Sequence, residues 1–208
     1  MIKKYPQIAL VTLAVLITAV LVFIYQSASK TPAVDLSEQG FYRFDNARQL
    51  KPVNLTNMSG EAVNLAQGNG QWQMINFGYM FCPDICPVNL SFMGEVKTQW
   101  DANPDKTPLS ITHITFDPER DTPEKLIPYL NFIDEDLLGL TGEVEEIRKI
   151  ATQLNTVYIF EEPDEYGNYF ITHSDSIALL DPEGNYVGLF KGPYDKDKVM
   201  SALEQVIN

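Results

Sequence analysis

The chain has 208 residues, 45% of them hydrophobic, with two cysteines and a formal net charge of -13. That apolar fraction excludes wholesale disorder and gives one ordinary domain a full core, while two thiols exclude a multi-disulfide scaffold and a four-thiolate zinc site. No acidic residue precedes Asp35, and residues 31–208 hold 12 basic against 28 acidic side chains, a balance of -16 that argues against nucleic-acid binding by phosphate neutralisation but suits a cation or a basic partner.

Residues 8–25 carry no charge and only two polar interruptions, Thr12 and Thr18. As a helix this run would span about 27 Å at ~1.5 Å per residue, close to the hydrocarbon thickness of a bilayer. Lys3 and Lys4 precede it, so the positive-inside rule keeps the N-terminus in the cytoplasm and exports the remainder. The alternative is a cleaved signal peptide, for which Ser27-Ala28-Ser29 supplies a small-residue cleavage site. The apolar run is long for that, and an uncleaved anchor is the expectation. The predicted organisation is a cytoplasmic N-terminus over 1–7, a single-pass anchor over 8–25 in a bacterial inner membrane, a linker over 26–40 and an exported, periplasmic domain over 41–208.

The stretch from Lys51 to Leu65 alternates and breaks at Asn57-Met58-Ser59-Gly60, which predicts a hairpin. Trp72–Tyr79 reads as a strand. Val88, Phe92, Val96 and Trp100 recur every four residues and predict a helix from about Asp84 to Asn103 with those four on one face. Ile111–Phe116 is a second strand. Thr122-Pro123-Glu124 opens a helix, with Thr122 as N-cap, and Val144, Ile147, Ile150 and Leu154 repeat helical spacing. Thr156–Glu161 is strand-like and reads as an insertion. Ser176–Leu180 and Tyr186–Phe190 flank Asp181-Pro182-Glu183-Gly184-Asn185 as an antiparallel hairpin, and a last helix carries Val199, Leu203 and Val206. Strands joined through helices imply parallel neighbours. This α/β succession matches a thioredoxin-like fold with an N-terminal β-hairpin extension, an inserted strand and a terminal hairpin as an antiparallel edge.

Both cysteines fall in Cys82-Pro83-Asp84-Ile85-Cys86, after the first core strand and at the opening of the first core helix. In a helix, residues four apart share a face, so the sulfurs can form a disulfide or grip one ion. A helix N-terminus lowers thiol pKa, whereas Asp84 opposes deprotonation and favours a cation. A purely structural disulfide closing so short a loop removes little entropy from the unfolded chain, so redox or metal chemistry is favoured. Two thiolates suit Cu(I), and a third ligand of intermediate hardness admits Cu(II). Of the two histidines, His113 lies mid-strand and reads as hydrogen-bonded or outward-facing. His173 lies in the loop before the terminal hairpin, which in a thioredoxin-like fold faces the start of the first helix, and is the expected third ligand. Met80 reads as packing.

The sequence resembles the Sco/SenC family of exported, thioredoxin-fold proteins that serve copper-site assembly in cytochrome c oxidase. The resemblance rests on Asn76-Phe77-Gly78-Tyr79-Met80-Phe81-Cys82-Pro83-Asp84-Ile85-Cys86-Pro87, on Asp117-Pro118-Glu119-Arg120-Asp121-Thr122-Pro123-Glu124, and on His173-Ser174 followed by the Asp181–Gly184 turn. It implies Cys82, Cys86 and His173 as ligands of one copper ion, either Cu(I) or Cu(II). The implied function is a metallochaperone delivering copper to the dinuclear site of cytochrome c oxidase subunit II, with other copper chaperones and thiol reductants as further partners. In the alternative, an enzymatic one, Cys82 and Cys86 form the redox-active pair of a thiol-disulfide oxidoreductase that reduces the cysteines of that site before metallation. A peroxiredoxin-like peroxidase is a third class, but nothing in the spacing ties Arg48 or Arg120 to the thiols. The chain departs from the family at Thr172, where an Asp usually precedes the ligand histidine. The acidic segment Asp117–Glu124 reads mainly as a structural loop, with partner contact as the functional alternative.

Overall fold

The computed structural model describes the backbone of residues 5–28 and 35–207, with side chains described over 10–21 and 35–207. Two compact units result, Met1–Val34 and Asp35–Asn208. In the first, helix α1 covers Tyr5–Ala28. Its described side chains, residues 10–21, are exposed. Parts of the expected anchor therefore lie outside the described side chains, and among the described residues no helix is long and apolar enough to cross a membrane.

The second unit is built on an eight-stranded sheet whose middle is parallel. Strands β4 (Trp72–Gly78), β5 (Leu109–Thr115) and β6 (Leu137–Gly142) run side by side in that order, joined by helices α2 (Ile85–Asp101) and α3 (Pro123–Ile133). Covered on both faces, β4 and β5 bury nearly every residue, as parallel strands do. Alternation divides them. Met74, Leu109 and Ile111 pack with Leu90, Met93, Val96 and Trp100 of α2 and with α3. Ile75, Phe77, Ile114 and Phe116 face the opposite layer, where helix α4 (Val144–Gln153) contributes Ile147 and Ile150. Helix α5 (Lys196–Ile207) adds Val199, Leu203 and Val206 to the α2 side.

Both predicted hairpins form. Strands β2 (Leu55–Asn57) and β3 (Ala62–Val63) pair antiparallel, and β2 also joins β6. Strands β9 (Ser176–Leu180) and β10 (Asn185–Lys191) form the terminal hairpin. The expectation that this hairpin makes the edge is corrected. Strand β9 lies against β4, and a strand absent from the sequence reading, β1 (Phe41–Gln49), covers β10. The order is β1-β10-β9-β4-β5-β6-β2-β3. A polar edge strand such as β1, mostly exposed, carries no alternation that a sequence could reveal. Leu36, just before β1, is buried in the core.

Two further corrections bear on the site. Val88 does not share a buried face with Val96 and Trp100; it is 60% exposed. Successive steps of four residues rotate by about 40° around a helix of ~3.6 residues per turn, so the stripe drifts into solvent, and Leu90 and Met93 take the inward positions instead. The loop expected around His173 contains strand β8 (Ile171–His173), which pairs with β7 (Tyr158–Phe160), the predicted insertion, in a separate two-stranded ribbon.

Candidate metal centre

The parallel strands β4 and β5 and the N-terminus of α2 meet at one pole of the sheet, the crevice outside the carboxyl ends of parallel strands where ligands collect in α/β folds. Both cysteines are there, as free thiols. Cys82 lies in the turn after β4 rather than in the helix, its backbone N–H donating to Tyr79 O (3.2 Å). Cys86 is in the first turn of α2 and is buried. Its N–H donates to Cys82 Sγ at 3.4 Å. The Cys82 sulfur thus receives unpaired N–H groups of the helix start, which favours the thiolate.

The two thiols are electrostatically unlike. The hydrogen bond from Cys86 outweighs partial burial at Cys82, and with the His173 ring and the Asp84 and Cys86 N–H groups it pulls the thiol down to about 4. The same contact, with burial, pushes Cys86 far up. One proton is shared by the pair and rests on the inner sulfur.

His173 ends β8 with its ring turned inward, against Phe116 (centroids 5.1 Å). Nε2 stands 3.6 Å from Cys86 Sγ, and Nδ1 lies 3.0 Å from Ser174 O, a contact in which Nδ1 donates, so that Nε2 is the nitrogen facing the sulfurs. Burial works against the charged ring, but the Cys82 thiolate and the Ser174 carbonyl together raise its pKa. The three ligand atoms of Cys82, Cys86 and His173 all lie within 4.8 Å of one another. Sulfur, sulfur and imidazole nitrogen at this separation form a set for one soft or borderline metal ion.

Thr172 is turned the other way. Its hydroxyl donates to Glu161 at 2.7 Å, since successive strand residues point to opposite faces. The ring of His173 is oriented by a backbone carbonyl, so the departure from Asp at this position leaves the imidazole held. His113 is fully buried, with Nδ1 3.2 Å from Asn76 Oδ1 and Nε2 without a partner. Burial holds it neutral, pushed down to about 4. It lies close under the thiols, for a Cβ added to Gly78 would stand 3.0 Å from both Cys86 Sγ and His113 Cε1. Met80 packs against the core through its side chain.

Sequence reasoning missed the residues that tie the late strand to the early cysteines. The Ile171 N–H donates to Tyr79 Oη at 3.1 Å. Asn89, one turn beyond Cys86, donates to Asp175 at 2.8 Å, and Tyr194 donates to the same oxygen. Asp121 is buried and accepts from the Met80 N–H (3.0 Å) and the Thr115 hydroxyl (2.6 Å). Asp117 takes Arg120 Nε and the Tyr169 hydroxyl, while Arg120 Nη1 donates to Tyr169 O. The Asp117–Glu124 segment is thus a clasp holding both the cysteine loop and the ribbon. Thr122 precedes α3, but its side chain makes no capping bond. The only trace of the clasp in the sequence was an unusual density of acids beside one arginine.

The SCO1/SenC family profile matches residues 44–208. The chain belongs to the SCO1/SenC family. Among relatives, this family member is 31% identical over 176 residues to a SCO2-like protein of Rickettsia felis, covering 84% of the chain and 85% of that protein. It is 34% identical over 155 residues to human mitochondrial SCO1 homolog, covering 73% of the chain and 50% of that longer protein. Arabidopsis thaliana ScoI, solved with copper bound, superposes with a TM-score of 0.69 at 29% identity, covering 76% of the chain and 98% of ScoI. The mixed α/β, thioredoxin-like architecture is that of the Sco structures.

Proposed function

We propose that this chain is a copper metallochaperone that carries one copper ion between Cys82, Cys86 and His173 and delivers it to the dinuclear copper site of cytochrome c oxidase subunit II. The observation that carries this reading is the convergence of two sulfurs and one imidazole nitrogen within 4.8 Å. Copper is the cargo. A Cys82 thiolate already formed at neutral pH binds Cu(I) without first losing a proton, and Nε2 of His173, exchanging its proton for the metal, completes a site for Cu(II). Cys82 is the more exposed of the two sulfurs, so it is the ligand an acceptor displaces first. The uncharged run over residues 8–25 behind Lys3 and Lys4 supports a membrane tether that leaves the metal site outside the cytoplasm.

Titration of the reduced full chain with copper is expected to saturate at one ion per chain and to give a sulfur-to-Cu(II) charge-transfer band. Cys82→Ala or Cys86→Ala should abolish binding, and His173→Ala should weaken Cu(II) binding at least tenfold, of the order seen when metal-site groups are lost. Unchanged binding in Cys82→Ala would end the proposal.

A second reading draws on the asymmetry of the two thiols. The low-pKa, half-exposed Cys82 suits the attacking thiolate and Cys86 the resolving thiol of an oxidoreductase. Cys82 would attack a target disulfide and release one target thiolate. Cys86, losing its proton, would then attack the Cys82 sulfur, releasing the second and leaving a Cys82–Cys86 disulfide. This reading needs no ligand at His173. A His173→Ala chain that reduces the target disulfide at the wild-type rate but binds no Cu(II) would favour it.

A further inference from the structure

Around the half-buried Cys82 sulfur the surface is apolar where surfaces are ordinarily polar. Phe81 precedes Cys82, and Ile85 and Val88 stand on the outward side of the first two turns of α2; they are 55%, 43% and 60% exposed. None is needed by the core, because Leu90 and Met93 fill the inward side of the same helix. Three large apolar side chains collected beside a reactive sulfur mark a contact surface.

The rim is acidic. Asp84, which precedes Ile85, and Glu119, which precedes the Arg120 that lies against Phe81, are exposed. Across the Arg120 guanidinium, which lies 4.8 Å from the Phe81 ring and 3.5 Å from the Tyr169 ring, stands the β7–β8 ribbon. Its connection carries Glu161, Glu162, Asp164 and Glu165, all exposed. No Lys or Arg occurs between Lys149 and Lys191. Among the described residues none of these four acids forms an ion pair, and Arg120 itself is taken up by Asp117.

We infer that this apolar patch with its acidic rim is the docking surface for the copper acceptor, a protein that presents basic side chains around an apolar patch of its own. The inference rests on the delivery reading above and says where delivery takes place. A second copy of this chain is disfavoured, since it would set two acidic rims against each other, and an anionic lipid surface is disfavoured for the same reason. The position favours the acceptor: Phe81 adjoins Cys82 in the chain and Ile85 adjoins Cys86, so a protein seated on them comes up to the ligand cysteines.

The test uses the full chain and the purified dinuclear-copper domain of a cytochrome c oxidase subunit II, measuring both binding of the two proteins and copper transfer. Glu162→Lys with Glu165→Lys should slow association about tenfold at low ionic strength, with the difference vanishing at high salt. Val88→Arg should weaken binding at least tenfold, and Val88→Leu should stay near wild type. All these variants should still bind one copper ion, since none of the changed residues supplies a ligand atom. Wild-type rates and affinities in both the charge-reversed and the Val88→Arg chains would overturn the docking surface and leave the delivery reading standing. A wild-type chain that binds the domain but hands over no copper would overturn delivery, with the surface then judged from the binding data alone. Absence of any wild-type binding would overturn both, and a chain dimer dissolved by Val88→Arg would assign the patch to self-association instead.

Discussion

Two cysteines four positions apart behave as different chemical groups because one is outside the helix and the other inside it. Cys82 accepts the hydrogen bond of the buried Cys86 thiol and then the N–H groups at the start of the helix, while Cys86 donates that bond and is buried, so the first is an anion at neutral pH and the second a thiol. For Cys82 the folded pKa lies below the unfolded one, so the stability it contributes is complete above about pH 9 and is lost as pH falls through about 4. For Cys86 the sign is reversed: its contribution is present below the unfolded pKa and declines as pH rises above it. Alkylation of the reduced chain is therefore expected to modify Cys82 alone, at a rate flat from pH 6 to 8 and falling by half near pH 4. An ordinary thiol would react about tenfold faster per pH unit over that range. Mass spectrometry of the labelled peptides checks it. Labelling of both cysteines with a midpoint near 9 would show that the asymmetry is absent. The pair was legible in the sequence; its asymmetry was not, because it depends on where helix α2 begins.

At the scale of elements, the site depends on holding the short strand β8 against the loop that follows β4. Sequence separation gives no help here, as Tyr79 and Ile171 are 92 residues apart. Tyr79 is buried, with its hydroxyl as the partner of the Ile171 N–H. Tyr79→Phe leaves that buried N–H unpaired, a cost of about 1–3 kcal/mol that falls on the strand bearing His173. Cu(II) affinity, which needs the imidazole, should fall about tenfold or more, while Cu(I) affinity, set by the thiolates, should change less than threefold. Equal losses for the two oxidation states would mean that the hydroxyl supports the fold generally and not the histidine strand. The clasp of Asp117, Arg120 and Asp121 belongs to the same scale. Its residues stand together in the sequence, but their partners, Met80, Thr115 and Tyr169, become neighbours only when β4, β5 and the ribbon are assembled.

Across the whole sheet, the metal centre and the Asp181–Asn185 turn stand at opposite ends of strand β9. Strand β9 begins two residues after Ser174 and ends at the Asp181–Asn185 turn, roughly 17 Å away at ~3.4 Å per residue. There Gly184 adopts φ +85°, and a Cβ on it would stand 2.3 Å from Leu65 O and 2.6 Å from Gly68 N. Gly184→Ala is expected to cost about 2–4 kcal/mol through left-handed strain and overlap with backbone that cannot yield. Thermal unfolding should shift down by about 5–15 °C. The copper stoichiometry of the folded chain should stay at one, because the metal centre lies at the far end. A chain with unchanged thermal stability would show that the turn tolerates a side chain.

The amino-acid sequence by itself determined the parallel α/β core, both hairpins and three residues, Cys82, Cys86 and His173, as the ones to watch. The core, the hairpins and the cysteine pair are carried by local spacing and alternation, while His173 followed from the scarcity of histidine together with the thioredoxin-like order of elements, which sets its loop opposite the first helix. Only the tertiary structure decided that β1 covers the terminal hairpin, that His173 ends a strand, that Val88 faces solvent, and that Tyr79 and Asp121 hold the site together. Each of those depends on partners far away along the chain, and no short-range pattern encodes which distant backbone or side chain will satisfy a buried polar group.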